Sequence, residues 1–165
     1  MYDLEKIMQN SEPVGDYLSS IGEKHPSFSR RKADYRLDGR IVEELKRYAD
    51  KVIVVIFSAE WCPDCARNVP VLDLIAEATG MEVRIFGHLM RDPLNPMERW
   101  WIPPSPPEVR EFNVVKIPLI VVLNRRGGRG SGRSSRTRRR GRASKRPCCR
   151  FSKGLRAPPW NVISV

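Results

Sequence analysis

Between residues 125 and 165 the sequence contains no acidic side chain, although it carries 14 lysines and arginines there. The preceding 124 residues hold all 19 Asp and Glu against 16 Lys and Arg. The net charge of +11 therefore describes neither part. A mildly acidic globular sequence is followed by a basic tail. Long apolar runs are also missing. The two strongest, "VIVVIF" and "IPLIVVL", are of strand length, well short of the ~20 residues of a membrane-spanning helix, so no membrane partner is expected. The start, "MYDLEKIMQNSEPVGDYLSS", lacks the basic and then apolar pattern of a secretory leader, and we read the protein as cytoplasmic. No internal repeat is visible. Histidine and cysteine are scarce, at two and four residues.

What is present is an alternation of helical and strand patterns. Residues 2–9 and 14–22 read as short helices separated by Pro13. In "DGRIVEELKRYAD" the apolar Ile41, Val42, Leu45 and Tyr48 fall near helical spacing. "KVIVVIF" (51–57) is a continuous β-branched run, as in a strand buried on both faces. Residues 62–79 return to helical spacing and stop at Gly80. "MEVRIF" (81–86) and "IPLIVVLN" (117–124) are two further strands. This order predicts an α/β domain with a mostly parallel sheet covered on both faces. Between the last two strands, a proline-rich excursion with a Trp100–Trp101 pair leads into a short helix near 107–112. The tryptophans either pack on the domain or offer an apolar surface to a partner.

Two of the four cysteines are three residues apart, in "FSAEWCPDCARNVP" (57–70). With Cys62 at the junction of a buried strand and a helix, the free N–H groups of the helix end favour a thiolate. Cys65 lies one turn on, within reach of a mixed disulfide formed at Cys62. The spacing thus supplies an attacking and a resolving thiol, as thiol–disulfide exchange requires. Pro63 suits the first helical turn, where its missing N–H is not needed. A zinc site would need a second ligand pair, which isolated His25 and His88 do not offer, so no metal is expected. A structural disulfide is disfavoured in a reducing compartment.

"AEWCPDC" resembles the thioredoxin active-site stretch, and "FNVVKIPLIVVL" is similar to the family segment in which an Ile–Pro bond precedes a central strand. Pro70, five residues after Cys65, matches the proline that kinks the family's helix. The resemblance covers roughly residues 38–124 and extends to thioredoxin-related proteins sharing WCPDC. It implies a thioredoxin-like fold, a central mixed sheet flanked by helices. It also implies a cis Pro118 facing Cys62, and a groove in which Trp61, Pro63, Ile117 and Pro118 hold the substrate, with the backbone of Ile117 pairing to its extended chain. Thioredoxins carry a buried aspartate where this chain has Ile56. That departure leaves Glu60 and Asp64 as candidate acid/base groups, both expected to be rather exposed, or as ordinary solvated charges. Asp64 also brings negative charge near Cys62, opposing the helix-end effect. Leu119 replaces the usual threonine after the cis proline and makes the groove more apolar.

The tail departs from this pattern. Thioredoxin folds end with one more strand and a terminal helix, and residues 125–165 show no apolar periodicity that would supply either. Rich in Arg, Gly and Ser, they read as disordered, leaving "IPLIVVL" as an exposed apolar edge. Two accounts compete. The tail could bind nucleic acid through phosphate contacts. Alternatively it is the product of a reading-frame error: in a shifted frame, 133–141 and 146–153 can encode a strand, a Pro–Gly turn and an amphipathic helix. Adjacent Cys148 and Cys149 lie too close for an unstrained disulfide.

The sequence therefore predicts an N-terminal helical extension (1–37), a thioredoxin-like domain (38–124) lacking its C-terminal strand and helix, and an Arg-rich tail (125–165). The expected function is thiol–disulfide oxidoreduction without a bound cofactor. A disulfide-containing protein or small molecule would be the substrate, and a separate reductase or thiol would donate electrons. A redox-inactive binding or adaptor module and nucleic-acid binding through the tail are the alternatives.

Overall fold

The computed structural model describes residues 2–96 and 99–125, together with the backbone of 161–164. In chain order the elements are α1 (Leu4–Asn10), β1 (Glu12–Pro13), α2 (Val14–Ile21), α3 (Pro26–Asp34), α4 (Gly39–Lys46) and β2 (Val52–Phe57). They continue with α5 (Pro63–Thr79), β3 (Glu82–Phe86), α6 (Glu108–Glu111), β4 (Leu119–Asn124) and β5 (Asn161–Ser164). The sheet order is β1-β3-β2-β4-β5. Only β2 and β3 run parallel; the other neighbours are antiparallel. The sheet is thus mixed, correcting the mostly parallel arrangement read from alternation alone. Alternation cannot see that β4 follows an excursion rather than a crossover helix.

The central strand β2 is buried from Ile53 to Phe57, because it has a strand on each edge and helices over its faces. Its uninterrupted β-branched run meets that demand. The two ends of α5 are fixed by separate devices. At the start, Pro63 takes the first helical position, where no N–H is needed. At the end, Gly80 adopts φ 71°, the left-handed conformation that closes a helix without a Cβ penalty. Between them, Cys65, Ala66, Val69, Pro70 and Asp73 form the buried face, at the spacing that puts residues on one side of a helix.

Pro13 is not only a separator between helices. With Glu12 it forms β1, which pairs with Arg84 and Ile85 of β3. A proline is tolerated there because β1 is the sheet edge. Residues 1–37 also contribute Ile7, Val14, Tyr17, Ile21 and Phe28 to the same core as the sheet. At the other edge, β5 pairs antiparallel with β4 from Leu119↔Ser164 to Val122↔Asn161. This corrects the expectation that the terminal strand is missing and that β4 is an open edge. A four-residue strand within a basic tail is too short to show as a periodic pattern. The expected absence of a terminal helix, the disorder of the tail and the Cys148–Cys149 pair fall on residues 126–160, outside the described residues. Among the described residues, no helix is long and apolar enough to cross a membrane.

Candidate active site

The C-terminal end of β2 leads through Ser58, Ala59, Glu60 and Trp61 into the start of α5. Ser58 is held on both sides by backbone pairing, its N–H donating to Phe86 O at 3.0 Å and its carbonyl accepting from Leu89 N at 3.2 Å. Cys62 caps the helix: its Sγ accepts from the Cys65 N–H at 3.3 Å. The sulfur is thus the partner of one amide in the first turn of the helix, which would otherwise have none within it. On the opposite side, Sγ lies 3.8 Å from the carbonyl of Ile117, to which the thiol donates. The Ile117–Pro118 bond is cis, as the resemblance implied.

The two thiols differ in environment. Cys62 keeps 7% of its surface exposed, whereas Cys65 is fully enclosed. Both are free thiols. Burial, followed by the hydrogen bond with Cys62, pushes the Cys65 thiol up to about 12. Trp61 covers the rim, 46% exposed. Its indole N–H donates to Leu89 O at 3.1 Å, and its ring stacks on Trp100 with centroids 6.0 Å apart. Trp100 is itself buried and donates to Val115 O, while Trp101 carries Arg110 over its ring at 4.1 Å. Trp100 thus packs on the domain. A cleft of about 520 Å³ opens beside Cys62, with Arg30 and Arg31 of α3 on one wall and Glu60, Trp61 and Arg67 on the other.

Of the residues singled out in the sequence, Trp61, Cys62, Pro63, Cys65, Ile117 and Pro118 come together around one sulfur pair. The two candidate acids part company. Asp64 is exposed and lies 3.5 Å from Arg67, an ordinary surface ion pair of little energetic weight. Glu60, expected to be exposed, has a side chain only 15% accessible and sits against Nδ1 of His88. It turns inward because the loop after β3 folds over it, a tertiary effect invisible in local sequence. His88, Ser58 and Tyr17 were not anticipated. His88 and Tyr17 lie 30 and 41 residues from Ser58 in the chain, and no local pattern links the three.

No cluster of three His, Cys, Asp or Glu is placed to hold a metal among the described residues. In sequence, no curated protein matches the chain. In structure, it is similar to a protein of unknown function, PA1234, from Pseudomonas aeruginosa, at TM-score 0.55 and 17% identity, over 76% of this chain and 72% of that one. An HIV epitope-scaffold is similar at TM-score 0.54 and 17% identity, with the same coverage. These likenesses concern the fold. The family model described as Thioredoxin matches residues 12–132, so it takes in β1 and α2 as well as the cysteine pair, the cis proline and β4. The chain belongs to the thioredoxin family.

Proposed function

We propose that the protein is a thiol–disulfide oxidoreductase in which Cys62 attacks and Cys65 resolves. The observation that carries this reading is the placement of the Cys62 sulfur between the α5 N-terminus and the Ile117 carbonyl, with the second thiol one turn behind it. A substrate R–S–S–R′ is attacked by the Cys62 thiolate, forming Cys62–S–S–R and releasing R′–S⁻. The Cys65 thiolate then attacks Cys62 Sγ and releases R–S⁻. The two leaving thiolates take up the protons lost by the cysteines, and the substrate is reduced by two electrons. Trp61, Pro63 and cis Pro118 shape the groove, and the Ile117 backbone pairs with the substrate chain. No bound cofactor is needed. A reductase or small thiol restores the dithiol, as a cytoplasmic setting provides.

The test is a redox titration of the full chain carrying Cys148→Ser and Cys149→Ser. A single two-electron transition near −270 to −200 mV, roughly the range of thioredoxins and glutaredoxins, is expected, and Cys62→Ser abolishes it. If the pair never closes, or alkylating reagents cannot reach Cys62 in the native protein, the exchange reading is wrong. A binding or adaptor role then becomes the better account.

A further inference from the structure

Helix α3 lies outside the stretch, 38–124, whose motifs resemble thioredoxin, yet it forms a wall of the cleft beside Cys62. Two contacts fix it there. Phe28 is buried in the common core, and Lys32 Nζ donates to the buried Asp73 carboxylate at 2.5 Å and to Glu77 at 2.7 Å, both on α5. Arg31, which lines the cleft, is held as well. Its Nε donates to the Arg67 carbonyl at 3.2 Å, and its guanidinium lies over the Tyr35 ring, 4.6 Å from the centroid. Holding it takes one N–H of a five-donor fork. The two Nη groups have no hydrogen-bond partner among the described residues. A guanidinium anchored in this way loses little freedom when a ligand arrives.

The charges around the cleft do not cancel. Arg67 lies against Asp64, and Glu60 against His88, so both are answered within the protein. Left over are Arg30 and Arg31 against a single carboxylate, Asp34, and neither Arg30 nor Asp34 makes an ion pair among the described residues. Around Cys62 the lining is apolar, from Trp61, Pro63 and Ala66. A cleft of about 520 Å³ has the size of a small-molecule site, and a mostly apolar lining with a few placed polar groups is what such sites share. A guanidinium fork matches the geometry of a carboxylate. We propose that this cleft selects the disulfide of a low-molecular-mass thiol bearing carboxylate groups, which Arg30 and Arg31 hold by its charge while its sulfurs face Cys62.

The site rests on the exchange reading above and supplies its substrate class. The Cys62 thiolate attacks the nearer sulfur of R–S–S–R. Cys62–S–S–R forms as the S–S bond of the substrate breaks, and R–S⁻ leaves with the electron pair and takes a proton from solvent. Cys65 then releases the second R–S⁻ as described, so no further reactant is needed. The two arginines engage the carboxylate end of the substrate and not its sulfurs. They set which disulfide is held, while the chemistry stays with the cysteines. A disulfide without carboxylates leaves both guanidiniums unanswered, and one bearing ammonium groups meets their repulsion.

The experiment sets the reduced full chain, with Cys148→Ser and Cys149→Ser, against three aliphatic disulfides: anionic dithiodipropionate, uncharged hydroxyethyl disulfide and cationic cystamine. Acid quenching and mass spectrometry give a second-order rate constant for each. When Arg30→Gln and Arg31→Gln are combined, the ratio of the dithiodipropionate constant to the hydroxyethyl disulfide constant falls about 10-fold, as the loss of charge-assisted bonds to a carboxylate predicts. The matching ratio for cystamine rises. Arg40→Gln removes an exposed arginine of α4 that does not line the cleft, and it leaves both ratios at their starting values. An equal fall with all three reagents overturns the site and leaves the exchange reading intact, since the arginines would then act on the Cys62 thiolate alone. Unchanged ratios in the double variant, or the same loss in Arg40→Gln, also overturn it. A protein whose Cys62 reacts with none of the three overturns both.

Discussion

Arg84 and Ser58 are both polar residues buried in the sheet layer, on or just beyond neighbouring strands, yet their surroundings are opposite. Arg84 donates from Nε to Ser11 Oγ at 3.2 Å, from Nη2 to Met8 O at 2.9 Å and to Ser11 O, and its other nitrogen lies 3.7 Å from Glu82. It clamps the end of α1 to β3. The Ser58 hydroxyl and its neighbour Tyr17 are equally buried and make no complete bond. A saturated polar cluster fixes a fold, because breaking any member leaves its partners unpaired. An open one contributes little to folding, because removing a member leaves no partner unpaired. The two clusters therefore differ in what their loss should do.

The largest effect is expected at the saturated one. Arg84→Met strips the donors from two carbonyls and a hydroxyl and should cost about 3 kcal/mol in urea unfolding. A loss under ~1 kcal/mol would erase the contrast with Ser58. Next comes Gly87→Ala. A Cβ at Gly87 would lie 2.3 Å from Cε2 of Tyr17, a ring with no room to retreat. Overpacking of this kind costs about 2 kcal/mol, read as a lower urea midpoint.

The third effect depends on pH. Burial holds the Cys65 thiol at about 12 against an ordinary 9.0, and pushes the Tyr17 phenol upward as well. Above pH 9 the unfolded chain loses the thiol proton while the folded chain keeps it. The folded state is then the more protonated, and stability falls as pH rises from 9 towards 12. One unit above the unfolded value the thiol alone costs about 1.4 kcal/mol. Unfolding of the reduced protein at pH 9 and pH 10 checks this, and Cys65→Ser should flatten the slope. The smallest effect is Tyr17→Phe. Removing a buried hydroxyl that completes no bond should leave stability within about 1 kcal/mol of the wild type. A larger loss would mean that the hydroxyl is structurally engaged after all.

Much of the site was legible because its parts are local. Cys62, Pro63 and Cys65 sit within one helical turn, Gly80 marks the helix end, and Ile117–Pro118 precedes an apolar strand. Each signal lies within a few residues of the feature it sets. What escaped was assembled across the chain. Tyr17 joins the core of the sheet from α2, which follows directly on β1, a two-residue strand containing a proline that pairs with β3. Glu60 reads as a surface carboxylate until the loop after β3 covers it, and helix α3, which forms the far wall of the cleft, begins at an unremarked Pro26. β5 was hidden for another reason: four residues within an arginine-rich composition carry no recognisable period.

The stacked indoles of Trp61 and Trp100 make the molecule its own optical probe. Trp61 adjoins Cys62 in the chain, and a disulfide is an efficient quencher of a neighbouring excited indole. Closing the Cys62–Cys65 bond should dim Trp61, and energy handed across the 6.0 Å ring separation should dim Trp100 with it. The emission of the unlabelled protein would then follow each turnover directly, and Trp100→Phe would reduce the change without altering either cysteine.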